Sequence, residues 1–288
     1  MNFSYNIKKL TKIEQSLKES WTLCPLIIGH LTKEVDILSV SIGQTTDIDI
    51  KSYPLKVIDK LTTMLTTLWN VINIDKDFYV ANIIIRSIAD NVASLFLIYY
   101  KDEGEIRVLR HYLFLLDGIN TRLANIVTPI KDENISEEEY QQLIKQQTEF
   151  RSMLNGCKKH INERITSLKM YHTNKLSIDM LMKNKKGEEQ YNWKFKTLDI
   201  APSNINTGKN TYSWKSLYSL IDLPEKFISS FLSDYVHGLS MSNITIAPDK
   251  QNMGTLVYIT KVLMGRIELF IHKYYAIELK DIQKNMEQ

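Results

Sequence analysis

Apolar residues recur every three or four positions along most of this chain, a period that predicts long amphipathic helices instead of the alternation of strands. Ten glycines and six prolines leave few places for the chain to turn. Pro25 suits the first turn of a helix through about Ile42, and Pro54 does the same for one from about Leu55 to Asn73. Residues 77–101 predict a central helix and 103–127 the next. Pro129 and the polar run KDEN interrupt the pattern. Ser136, with Glu139 three positions on, then supplies a capping box for a long, richly charged helix running toward Tyr171.

From about Thr173 to Tyr212 the period fades, and NKKGEEQ, APSN and NTGKN supply turn residues. A long irregular connection is expected there, holding at most a short helix at Ser177–Met182. Trp193 and Phe195 within it predict that it packs back on the body. Helical pattern resumes at Ser213, which can cap WKSLYSLIDL; Pro224 opens EKFISSFLSDYVHG, and a last helix covers roughly 252–283. The expectation is all-α: a single large helical bundle over 1–288, with an N-terminal block (1–172), the irregular connection (173–212) and C-terminal helices (213–288).

Composition agrees with a globular core, at 44% hydrophobic and 24% charged residues. A formal charge of +3 is too small to imply a nucleic-acid or anionic-membrane surface. Cys24 and Cys157 lie far apart with no CxxC pair, which suits a reducing, cytoplasmic setting and offers no metal site and no cofactor. Residues 1–20 interleave charge with Phe3, Ile7, Leu10 and Leu17, an amphipathic helix and not a secretion signal. The run at 78–100 has the length of a membrane span, yet Arg86, Asp90 and two asparagines near its middle predict a core helix and no membrane partner.

That helix carries the first candidate chemistry. Ile83, Ile84, Ile85, Ile88, Val92, Leu95 and Phe96 cover most of its circumference, so Arg86 and Asp90, four apart on one face, are expected to be buried or nearly so. Either they neutralise each other and bind carbonyls of neighbouring helices, or the guanidinium forms a seat for a phosphate or carboxylate, which its planar fork grips with two bonds. In FLSDYVHGLS, Ser233 and His237 border a buried stripe and Gly238 reads as a helix stop, which places His237 where the helix dipole favours its protonated form. His237 then either caps carbonyls or faces Arg86 as a proton donor or acceptor.

A second element is RIELFIH, with Arg266 and His272 six positions apart. Six positions turn a helix by about 600°, so the two do not share a face without a kink, which Gly265 could permit, or a partner chain. The sequence contains no phosphate-cradling glycine loop, HExxH or nucleophile elbow, and HINE at 160–163 lacks the further ligands of a di-iron bundle. The basic run MKNKKG has no interleaved aromatics and reads as a solvated loop.

IIIRSIADNVASLFLIYY, the loop tryptophan before WKSLYSLIDL, and SDYVHG together resemble a family of uncharacterised helical bacterial proteins. In that family an Arg and an acidic residue share one helix and a Ser-x-x-x-His pair sits on another. The likeness covers roughly 55–275, and Asp90 stands where the family usually has Glu. Separately, the Arg-x5-His element resembles the motif of HEPN domains, many of them metal-independent ribonucleases of toxin–antitoxin and phage-defence systems. That resemblance implies catalysis by Arg266 and His272 on RNA across a homodimer, although Ile267 stands where HEPN motifs usually carry a polar residue. Three readings follow: a binder of a small anionic or nucleotide-like ligand through Arg86, Asp90, Ser233 and His237; a HEPN-type endoribonuclease; or an interaction module whose interior polar groups only fix packing.

Overall fold

A computed structural model of the chain describes residues 21–43, 46, 48–75, 77–198, 210–224, 228 and 250–286. The expected N-terminal helix at 1–20, and Ser233 and His237, lie outside the described residues. Among the described residues there are nine α-helices and no strand beyond two isolated bridges, so the protein is all-α. Contacts divide the chain into two compact units, Met1–Lys101 with Ser213–Gln288, and Asp102–Tyr212. The second is inserted in the sequence between two parts of the first.

In the first unit, α1 (Cys24–Ile42) carries Pro25 in its first turn and buries Ile28, Leu31, Val35 and Leu38 at the expected spacing. Helix α2 (Ser52–Asn70) starts ahead of Pro54 because Asp49 Oδ1 accepts the amides of Lys51 and Ser52 at 2.8 and 2.9 Å. It continues into a π-helical turn, Val71–Asp75. Helix α3 (Phe78–Leu95) is capped by Asp77, whose carboxylate accepts the Val80 amide at 2.9 Å, and ends in a second π turn, Phe96–Tyr100. By length and composition this 23-residue helical run is apolar enough to cross a membrane, but 61% of its window is buried inside the protein, as a core helix requires.

Three further helices complete the unit's described part: α7 (Trp214–Ser219), α8 (Lys250–Tyr274) and α9 (Ala276–Met286). Helices α2, α7 and α8 all pack on α3. The single terminal helix expected over 252–283 is broken at Tyr275. There the hydroxyls of Tyr274 and Tyr275 donate to the carbonyls of Ile50 and Lys51, each at 2.8 Å, drawing adjacent residues toward the start of α2.

Burial raises the phenol pKa of Tyr99, Tyr218 and Tyr275 well above the usual tyrosine value. Neighbouring phenols reinforce this for Tyr99 and Tyr275, and the bond to Asp90 does so for Tyr218. A raised folded-state pKa contributes stability that is fully present below the unfolded value, about 10, and is lost as pH climbs past it. The first unit should therefore unfold in alkali, with these tyrosines ionising together with the loss of helical circular dichroism. Tyrosinate absorbance that rises to completion before the helix signal falls would contradict this.

In the second unit, α4 (Gly104–Ala124) packs on α5 (Glu137–Thr166), which is followed by α6 (Lys169–Leu181). The Ser136–Glu139 capping box is present at the start of α5. The helix expected to run toward Tyr171 ends instead at Thr166, since Glu105 of α4 accepts the amides of Lys169 and Met170 at 2.9 and 2.8 Å and so caps a new helix. Residues 173–181, where the sequence leads one to expect at most a short helix from Ser177, belong entirely to α6, which kinks at Asn174 (φ −123°, ψ 24°). Beyond it the chain is irregular but packed: Tyr191, Trp193 and Phe195 are buried.

Candidate functional site

Arg86 and Asp90 lie on the α3 face turned toward α7, and the carboxylate meets the guanidinium Nε at 3.2 Å. The side chains retain 14% and 31% of their exposure, so the pair is screened from solvent only in part. Contacts to Tyr218, which the sequence did not point to, extend the cluster. Tyr218 of α7 donates its hydroxyl to Asp90 Oδ1 at 2.5 Å, and the guanidinium lies over the Tyr218 ring at 4.9 Å. Trp214, one turn earlier, stacks on Tyr218 with centroids 6.0 Å apart and planes 23° from parallel. Arg86 Nη1 also donates to the carbonyl of Ile228 at 2.5 Å. Arg86 thus ties α3 to α7 and to Ile228, and the cluster is a short ladder of guanidinium, phenol and indole with one carboxylate at its edge.

Which of the guanidinium's five donors are engaged determines what it can still do. Among the described residues, Arg86 spends Nε on Asp90 and Nη1 on Ile228, and Nη2 meets no acceptor. Arg110, in the second unit, is the contrast. It is 1% exposed, donates from Nε and Nη2 to Asp102 at 3.0 and 2.5 Å, and from Nη1 to the carbonyls of Trp193 and Phe195 at 2.7 and 2.9 Å. Its guanidinium also lies 4.1 Å from the Phe195 ring centroid. Burial pulls the Arg110 pKa down and Asp102 pulls it back up. Such saturation describes a structural clasp. The signal for Arg110 was available, since it sits between Leu109 and Leu113 on an apolar helical stripe just as Arg86 does.

Arg266 and His272 are both on α8, which continues through Gly265 to Tyr274. The structure brings neither to the other: Arg266 pairs with Asp222, in the turn after α7, and His272 Nε2 lies 2.9 Å from Glu34 Oε1 of α1. Asp222 adopts a positive φ of 52°, a conformation that Asp tolerates better than most residues. Among the described residues no group of three or more His, Cys, Asp or Glu stands where it could hold a metal ion. A cleft of about 380 Å³ opens between α1 and α2, lined by Pro25, Ile28, Gly29, Lys33, Thr66 and Trp69 among others. The chain matches no family model, no curated protein and no solved structure.

Proposed function

We propose that this protein binds a small anionic, nucleotide-like ligand at Arg86, with Asp90 and Tyr218 orienting it. The observation that carries this reading is the incomplete use of a partly shielded guanidinium, whose Nη2 meets no acceptor among the described residues. A phosphate or carboxylate oxygen is the acceptor that such a fork grips best, and low exposure strengthens the attraction. The Asp90 carboxylate beside it suits a sugar hydroxyl, and the Tyr218–Trp214 stack suits a planar ring. Each feature alone is common in protein interiors; their convergence on one guanidinium is what favours a ligand.

Calorimetric titration with nucleoside monophosphates, the matching nucleosides and inorganic phosphate tests the reading. Monophosphates should bind, nucleosides should bind less tightly, and Arg86→Lys should weaken binding by at least about tenfold, because an ammonium cannot reproduce the bidentate fork. Arg86→Met should abolish it while Lys33→Met, in the cleft between α1 and α2, leaves it unchanged. Absence of binding by the native chain sinks the reading, and so does loss with Lys33→Met but not with Arg86→Met.

A further inference from the structure

Helix α5 is 30 residues long yet buries only Leu154, Ile161 and Ile165. Its inner flank is clear: Tyr140, Gln147, Leu154 and Ile161 are spaced seven apart, and the first two bond the carbonyls of Pro129 and Val127. Arg151 adds a bond to the Ile126 carbonyl at 2.9 Å, so the segment at 126–129 lies along this flank. The neighbouring flank is different. Leu143 (41% exposed), Phe150 (40%) and Met153 (54%) stand on it, with Gln146 between them and half-buried Cys157 one turn beyond. Their spacing of three and four positions over two heptads is that of the a and d seam of a coiled coil, here facing solvent.

We infer that this seam is where two copies of the chain associate, α5 against α5, antiparallel about a two-fold axis. Charge decides the direction. Residues 137–147 carry Glu137, Glu138, Glu139 and Lys145, whereas 148–166 carry Arg151, Lys158, Lys159 and Arg164 against Glu149 and Glu163. A parallel pair would set the acidic half on the acidic half; an antiparallel pair sets it on the basic half.

Charge also decides the register. Antiparallel seams pair a positions with d positions, which allows Phe150 to face either Gln146 or Met153 of the second copy. The first register sets Glu149 opposite its own symmetry mate. The second sets Glu149 opposite Gly156, places Phe150 against Met153 twice at the centre, where thioether and ring attract, and sets Glu139 against Arg164 at both ends. In that register Gln146 faces Cys157 and Leu143 faces His160. The contact is isologous and closes on itself, as a two-fold requires.

Sedimentation of the full chain over a range of concentrations should show a reversible dimer. Phe150→Glu and Met153→Glu, both at exposed positions, should each weaken it by at least about tenfold while leaving the far-ultraviolet spectrum and Tm of the chain in place. The register has its own test. Under mild oxidation Gln146→Cys should yield a covalent dimer through native Cys157 of the second copy, a bond that a separation of eleven positions, about 16 Å of helix rise, forbids within one chain. Gln146→Cys combined with Cys157→Ser should then yield none. A native chain that sediments as a monomer throughout, a dimer indifferent to both glutamates, or a covalent dimer that survives Cys157→Ser would each overturn the proposal.

Discussion

Replacing Arg110 with alanine should destabilise the second unit by about 3–5 kcal/mol, the range for stranding one member of a buried ion pair. The substitution removes the Arg110 cation from Asp102 and the Nη1 donor from the carbonyls of Trp193 and Phe195, and it opens a void at a side chain that is 1% exposed. Those carbonyls belong to the irregular stretch after α6, so hydrogen exchange should accelerate there first. Arg110→Met keeps most of the volume and should cost less than Arg110→Ala. Asp102→Asn should cost more than Arg110→Met, because it leaves the 1% exposed guanidinium without its carboxylate, whereas the Asp102 carboxylate stranded by Arg110→Met retains 21% exposure and water can reach it. In urea titrations the combination Arg110→Met with Asp102→Asn should cost less than the sum of the two, since the partners act as a unit. A loss under about 1 kcal/mol for Arg110→Ala would mean that the burial of Tyr191, Trp193 and Phe195 holds the stretch without the clasp.

The second large effect is expected in the first unit. Phe270 of α8 is fully buried, with ring centroids of Tyr274, Phe96, Tyr99 and Tyr275 at 5.3, 6.1, 6.2 and 6.5 Å. Phe270→Ala should cost about 3–5 kcal/mol, part of it lost transfer energy and part the cavity that close-packed rings cannot collapse to fill. Phe96 and Tyr99 lie in the π turn that ends α3, so the loss should also loosen that turn. Phe270→Leu, which leaves a smaller void, should cost clearly less. Urea midpoints measure both; equal costs would show that the cluster repacks around whatever occupies the site.

Much of this fold is legible in the sequence because its causes are local. The apolar period, the Ser136–Glu139 capping box and the Ser213 cap all act within a few residues, and each appears where its pattern lies. Arg86 and Asp90 are legible for the same reason, as four positions on one helix must share a face. The errors fall where the cause is remote. The division between α5 and α6 is made by Glu105, more than sixty positions away, and the break at Tyr275 accompanies bonds to carbonyls at the start of α2. The helix over 173–181 is legible only in its second half, from Ser177, because the sequence before that is polar and weakly periodic. Nothing local distinguishes Tyr218 within its helical run, although it supplies both the hydroxyl for Asp90 and the ring under Arg86.

By itself, then, the sequence determined that the chain is helical, roughly where its helices lie, and that a guanidinium sits on the most apolar of them. Periodicity, caps and turn residues are properties of neighbouring positions and need no partner to be read. The tertiary structure decided how the two arginines on apolar stripes differ, one saturated by Asp102 and two carbonyls, the other leaving Nη2 without an acceptor among the described residues. A hydrogen bond needs two groups within about 3 Å, and which distant carbonyl or hydroxyl arrives within that reach is fixed only when the helices pack.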